Sequence, residues 1–193
     1  VLMHGWALDS DGRKMSKSIG NIVEPGEAID RHGRDPMRLF LLSQTPQEDD
    51  MKFSWDEMAE MQRRLNILWN VFRFPLPYMR MDEFDPEAAD LADAETELAD
   101  EWILSRLQSV AATTTEHFEA FEQDKALDAL LDFVVEDVSR FYVQVVRERM
   151  WEEADSPSKD AAYATLYRVL TETVALLAPY APFVAEEIYG PLT

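Results

Sequence analysis

From Ser54 to Leu177 apolar side chains return at three- and four-residue intervals in four successive runs, and each run is set off by helix-starting or helix-breaking residues. Met58, Met61, Leu65, Leu68, Trp69 and Phe72 form the first run. It opens on a capping-box pair, Ser54 and Glu57, with Phe53 and Met58 spaced as a hydrophobic staple, and it stops at Pro75 and Pro77. Ile103, Leu107, Val110, Phe118 and Phe121 predict a second helix, with Thr114 filling the gap in its stripe. Leu127, Leu131, Val134, Val138, Phe141 and Val145 predict a third. Ser156-Pro157 caps a fourth, lined by Tyr163, Leu166, Leu170, Val174 and Leu177 and ended by Pro179, and a short closing helix runs from Pro182 to Gly190. One apolar stripe per helix calls for a shared core, so the expected fold is mainly α, an antiparallel helical bundle over residues 51–193. Trp69, Trp102, Tyr163 and Phe183 lie on or beside these stripes and are expected in the core.

The first fifty residues are different. Val1 to Glu24 are rich in Gly, Ser and Asp, and Asp11-Gly12 is a turn signal, so a strand or hairpin followed by a polar loop is expected. Pro25 suits the first turn of a short helix that Gly33 ends, and Asp35-Pro36 reads as the N-cap and first residue of another. The polar stretch Thr45 to Lys52 makes the best boundary, which gives two units, 1–50 and 51–193.

Charge narrows the partners less than it first suggests. The 193 residues hold 38 Asp plus Glu against 18 Lys plus Arg, a net charge of −20. Such an excess repels nucleic-acid phosphates at ordinary ionic strength. It is regional, however: residues 1–40 hold six acidic and six basic side chains, residues 81–160 hold 23 and six. Thirteen of the cations are Arg and five are Lys, and many carboxylates with few lysines suit a protein working in molar salt, where the Debye length falls to about 3 Å; an ordinary acidic surface kept for solubility is the alternative. With no cysteine there is no disulfide or thiolate metal site, and His4, His32 and His117 are too scattered to act as a ligand set, so no metal is expected. No apolar run reaches the roughly 20 residues of a membrane span and no signal peptide is visible, which reads as soluble, cytoplasmic and, by expectation, monomeric.

The most specific feature is Lys14-Met15-Ser16-Lys17-Ser18, flanked by Gly12 and Gly20. Glycines leave such a loop mobile, and two ammonium groups on long stems can approach phosphate oxygens as point charges. Cations that tighten on a triphosphate as charge moves toward a leaving pyrophosphate lower the barrier, each such donor contributing about 2.7 to 4 kcal/mol. A solvated basic loop is the plainer reading of two lysines.

This pentapeptide, followed by Ile19-Gly20-Asn21-Ile22-Val23, resembles the second ATP-binding motif of class I aminoacyl-tRNA synthetases. The resemblance covers the whole chain, because that family follows its loop with a helical stem-contact region and an α-helical anticodon-binding domain. Leu65 to Phe74, Ser139 to Trp151 and Leu176 to Tyr189 are similar to the isoleucine-specific branch in its archaeal and eukaryotic-like form, with the valine enzymes the nearest alternative. The resemblance implies a ligase that activates isoleucine with ATP, accompanied by Mg2+, and transfers it to tRNA(Ile). Lys17 is then the catalytic contact to the phosphates, Lys14 assists, Ser16 with both lysines contacts ATP, and Met15 packs. No His-Ile-Gly-His motif is present, so the chain is expected to be a segment of such an enzyme, inactive by itself.

For RNA, Arg140, Gln144, Arg147 and Trp151 fall at i, i+4, i+7 and i+11 of the third helix, a polar, basic and aromatic stripe able to meet phosphates and stack a base. A solvated face with Glu136 pairing Arg140 accounts for the same spacing. Two other readings of the chain stand beside the ligase: a tRNA-binding helical module without chemistry, and an acidic helical protein that meets other proteins.

Overall fold

The computed structural model describes residues 5–44, 49–86, 91, 94–154 and 156–192. His4 and part of the Thr45–Lys52 stretch lie outside them. Strand β1 (Ala7–Leu8) turns back through Gly12, whose φ of 79° is open to glycine, and Leu8 bridges Lys14 antiparallel, so the expected hairpin forms. Helices α1 (Pro25–His32) and α2 (Arg34–Ser43) follow, and β2 (Met51–Lys52) returns to pair parallel with β1. Asp35 does not cap α2, which takes Gly33 as its N-cap. The Asp35 carboxylate is buried and reaches across to the closing helix, Pro182–Tyr189, where it accepts hydrogen bonds from the backbone of Phe183 (3.4 Å) and Val184 (2.7 Å). A sequence N-cap thus serves a helix nearly 150 residues away.

The bundle is built from α3 (Trp55–Arg73), a short α4 (Leu76–Met81), α5 (Leu98–Glu119), α6 (Gln123–Asp132), a π-helical segment (Phe133–Tyr142), α7 (Val143–Trp151), α8 (Pro157–Leu177) and α9 (Pro182–Tyr189). Ser54 Oγ accepts from Glu57 N and Ser156 Oγ from Lys159 N, so two of the three side-chain caps the sequence predicts form where expected. Pro75 and Pro77 end α3 but do not end helical structure: Pro77 sits in the first turn of α4, where its missing N–H costs nothing. The start of α5 meets the end of α7 (Asp100 with Arg149), and Arg106 meets Asp137 further along, so α5 runs antiparallel to the α6–α7 rod.

In that rod the expected stripe drifts. Val134 and Val138 are buried, but Phe141 and Val145 are each 46% exposed, and Tyr142, Val146 and Met150 take their places. Across the π segment, whose turn is wider than an α turn, the stripe is displaced by one residue, and the displaced line then continues down α7 at Val146 and Met150. Tyr142 gains a buried partner from the shift: its hydroxyl donates to Asp100 at 2.7 Å. Asp100 also takes two hydrogen bonds from Arg149 and one from the backbone of Glu97, so its buried charge is fully engaged. Tyr142 resists ionisation because burial and the adjacent carboxylate both disfavour a phenolate.

Three aromatic expectations need correction. Phe118 and Phe121 are exposed, Phe121 because it lies past the end of α5 at a φ of 64°. Phe183 is 58% exposed beside Arg34, while Tyr163 is fully buried and Trp69 and Trp102 are half-buried against the core.

Candidate nucleotide and RNA contact sites

The Lys14–Ser18 loop is a tight turn closed at its base by two polar side chains. Ile19 and Gly20 both donate backbone hydrogen bonds to the Ser16 carbonyl, at 3.2 and 3.1 Å. Gly20 then passes through a φ of 75°. Asn21 Oδ1 accepts from Ser16 N at 2.9 Å, and Asn21 Nδ2 donates to the Lys14 carbonyl at 3.2 Å and to Asp9 Oδ2 at 2.8 Å. Asp9, only 7% exposed, accepts in addition from the backbone of Asp11 and Arg13 and from Arg13 Nε. The Asn21 amide, then the Arg13 backbone N–H, hold the Asp9 carboxyl down at about 2, below its ordinary 3.8.

The motif's side chains leave this base in different directions. Met15 packs against the core, as expected. Ser16 Oγ lies 3.1 Å from Ser18 Oγ and stays within the turn. Lys14 Nζ rests 3.0 Å from the centroid of the Trp6 ring, a cation–π contact. Lys17 is exposed at the tip and meets neither acceptor nor carboxylate among the described residues. Both lysines therefore stand on one turn, one laid on an aromatic face and one extended into solvent. An open groove of about 650 Å³ lies beside the loop, lined in part by Asp9, Arg13, Met15, Asn21, Lys52 and Trp55.

Motif reading singles out the lysines and passes over Asp9, Asn21 and Trp6. The turn signal around Asp11 already hinted at Asp9, since an aspartate ahead of a turn can accept from the backbone two and four residues on.

The second set of candidates lies on the α6–α7 rod. Arg140 pairs with Glu136 at 2.5 Å, both exposed, so that cation is shared with a carboxylate. Gln144 accepts from Arg147 at 2.7 Å, and the Arg147 guanidinium lies 4.8 Å from the centroid of the Trp151 ring. Gln144, Arg147 and Trp151 form a line of neighbouring contacts, Arg140 is engaged by Glu136 instead, and the π segment adds Phe141, in edge contact with Trp102 at 4.7 Å. Of the histidines, His117 Nδ1 lies 2.7 Å from Glu122 and His32 Nδ1 lies 2.9 Å from Gln62 Oε1. Among the described residues no group of His, Cys, Asp or Glu is arranged to hold a metal, and no described helix is long and apolar enough to cross a membrane.

Two family descriptions match the chain: tRNA synthetases class I (I, L, M and V) over residues 1–54, and the anticodon-binding domain of tRNA ligase over residues 100–192. The isoleucine–tRNA ligase of Natronomonas pharaonis is 75% identical over 193 residues, which is all of this chain and 18% of the relative. That of Haloarcula marismortui is 68% identical over 195 residues with the same coverage, and that of Methanosarcina barkeri is 48% identical over 98% of the chain and 18% of the relative. The chain thus spans under a fifth of the length of these curated relatives. Among solved structures, the methionyl-tRNA synthetase of Mycobacterium tuberculosis bound by methionyl-adenylate superposes with a TM-score of 0.73 at 24% identity, over 94% of this chain and 36% of that one. The LeuRS of Agrobacterium radiobacter K84, in a ternary complex with tRNA and LeuAMS, gives 0.72 at 24% identity, over 98% and 21%. At that identity these two speak for the fold.

Proposed function

The chain belongs to the class I tRNA synthetases of the isoleucine, leucine, methionine and valine group, and from that membership we propose that it is the ATP-loop and anticodon-binding segment of an isoleucine–tRNA ligase. In the whole enzyme the isoleucine carboxylate attacks the α-phosphorus of ATP, pyrophosphate leaves, and the isoleucyl group passes from the adenylate to the terminal ribose of tRNA(Ile). Mg2+ arrives with the ATP as part of the substrate. The observation that carries this reading is Lys17, exposed and, among the described residues, unpaired at the tip of a turn whose base is pinned by Asn21. An ammonium group so placed needs no partner broken before it meets the β- and γ-phosphates, and its contact strengthens as negative charge builds on the departing pyrophosphate. Lys14 assists after leaving the Trp6 ring, and Ser16 keeps the turn closed. Lys14, Ser16 and Lys17 are the proposed ATP contacts, with both lysines catalytic.

Residues 1–50 form the proposed loop and stem-contact unit and 51–193 the anticodon-binding unit, with the β1–β2 pair joining them. For RNA the proposed contacts remain Arg140, Gln144, Arg147 and Trp151. Arg147 with Trp151 is the stronger half, because a guanidinium already stacked on indole presents donors to a phosphate and leaves an aromatic edge for a base. Arg140 must first release Glu136. We read the parent enzyme as monomeric and cytoplasmic.

Isoleucine-dependent ATP–pyrophosphate exchange by the full-length protein tests the proposal. Exchange supported by isoleucine far above valine is expected; exchange supported by valine instead would move the segment to the valine enzymes, and none with either would remove the ligase reading. The 193-residue chain alone should give background exchange and still bind tRNA(Ile).

A further inference from the structure

The Asn21 amide makes three hydrogen bonds that together span the Lys14–Ser18 motif: it takes the N–H of Ser16, gives one hydrogen to the carbonyl of Lys14, and gives the other to Asp9. Both amide hydrogens and the oxygen are used. Asp9 in turn distributes its two oxygens over four donors, two of them backbone N–H groups of the hairpin that leads into the loop. The hydrogen bonds of the two flanks therefore meet in one carboxylate–amide contact of 2.8 Å, made by a group that is nearly out of solvent, beside the backbone turn on the Ser16 carbonyl. Gly12 and Gly20 bound the motif at φ values of 79° and 75°, each in a backbone turn, Gly12 N donating to the Asp9 carbonyl at 2.9 Å and Gly20 N to the Ser16 carbonyl at 3.1 Å.

From this geometry we propose that Asp9 and Asn21 are positioning residues that make the lysine motif a rigid turn fastened to its own flanks, so that it presents Lys17 to the phosphates in a fixed orientation. The proposal rests on the ATP-loop reading above and deepens it. A turn that kept its glycines but lost the clasp would still allow ATP to bind, because initial binding draws on the rest of the site. It would spread Lys17 over many orientations when the pyrophosphate departs, and misplacement of a catalytic group by about 1 Å costs on the order of a hundredfold in rate. The clasp therefore acts on kcat and leaves KM nearly alone. The depressed ionisation of Asp9 is in keeping with this, since the carboxylate remains an acceptor throughout the range in which the enzyme works.

The full-length protein carries the test. Asn21→Ala removes the tie, and Asn21→Asp sets a second carboxylate against Asp9. Pairing Asn21→Asp with Asp9→Asn reverses donor and acceptor across the same contact and leaves Ser16 N its acceptor. In isoleucine-dependent pyrophosphate exchange, Asn21→Ala should lower kcat about ten- to a hundredfold with KM for ATP within about threefold, and Asn21→Asp should be at least as slow. The paired variant should recover a substantial part of the loss. Wild-type kcat in Asn21→Ala, a loss carried by KM, or a paired variant no faster than Asn21→Asp each overturns the clasp. Lys17→Ala, run alongside, separates the two proposals: if it too keeps the wild-type rate, the reading of the loop itself fails, whereas a slow Lys17→Ala beside a normal Asn21→Ala condemns the clasp only.

Discussion

Two parts of this molecule are held by different forces. Around the lysine loop, Asp9, Arg13, Ser16 and Asn21 fix the backbone through hydrogen bonds between short polar groups, and Met15 is the motif's one anchor in the apolar core. From Ser54 onward the chain is held by buried apolar side chains such as Ile103, Leu107, Leu127 and Leu166, with a few buried polar knots and, on the surface, ion pairs such as Arg140–Glu136 and Arg168–Glu172. Hydrogen bonds near the surface contribute about 0.5 to 1.5 kcal/mol each and can be exchanged for water, whereas burying a single large aliphatic side chain contributes about 1.5 to 3 kcal/mol without direction. The loop is thus built to be specific in shape and cheap to move, and the bundle to be stable and tolerant of register.

The sharpest way to break that contrast lies in the bundle, at the buried knot of Asp100, Arg149 and Tyr142. Asp100→Ala leaves the largely buried Arg149 guanidinium with only the half-exposed Glu97 at 3.4 Å in place of its buried carboxylate, and should destabilise the 193-residue chain by about 3 kcal/mol in urea unfolding, more than any loop substitution. A loss below 1 kcal/mol would mean that water replaces the carboxylate and that the knot is not closed.

A smaller difference tests the π segment. Tyr142→Phe removes the hydroxyl that meets Asp100 and should cost about 1 to 3 kcal/mol, whereas Phe141→Ala, which gives up only an exposed edge contact with Trp102, should cost no more than about 1.5 kcal/mol. The reverse order would restore the unshifted stripe of an ordinary α-helix.

On the loop side the effects are finer. Asp9 is held at about 2 against an ordinary 3.8, so its contribution to the folded loop is whole above about 3.8 and disappears as the pH falls toward 2. The Asn21 side-chain NH2 resonances, followed from pH 5 to pH 2, should move with a midpoint near the lower value; a midpoint at 3.8 would remove the clasp from solution. For RNA, Arg147→Ala should weaken tRNA(Ile) binding by a larger factor than Arg140→Ala, because only the latter cation is already neutralised by a carboxylate.

The same contrast explains what could be read from the sequence. Helix starts at Ser54 and Ser156, the closing helix at Pro182 and the inner face of α8 follow from periodicity and capping alone. Periodicity assumes 3.6 residues per turn, so it misassigns Phe141 and Val145 where the π segment changes the pitch, and it extends the α5 stripe to Phe118 and Phe121, beyond where neighbours cover it. Asp35 is misread because a cap is inferred from local spacing, while its partners are on α9. In the loop the lysines are legible from a rare pentapeptide, but Asn21 is not: its role depends on three contacts to residues five, seven and twelve positions earlier, and no single spacing rule covers them.

On the proposed function, Lys17, unpaired among the described residues at the tip of a pinned turn, meets the phosphates as pyrophosphate leaves. Single-turnover formation of isoleucyl-adenylate by the full-length enzyme, with Lys17→Ala against wild type and ATP affinity measured separately, tests it directly. The account predicts a rate lowered on the order of 10² to 10³-fold with ATP binding changed by no more than a few-fold. An unchanged rate, or a loss wholly accounted for by weaker ATP binding, would contradict it.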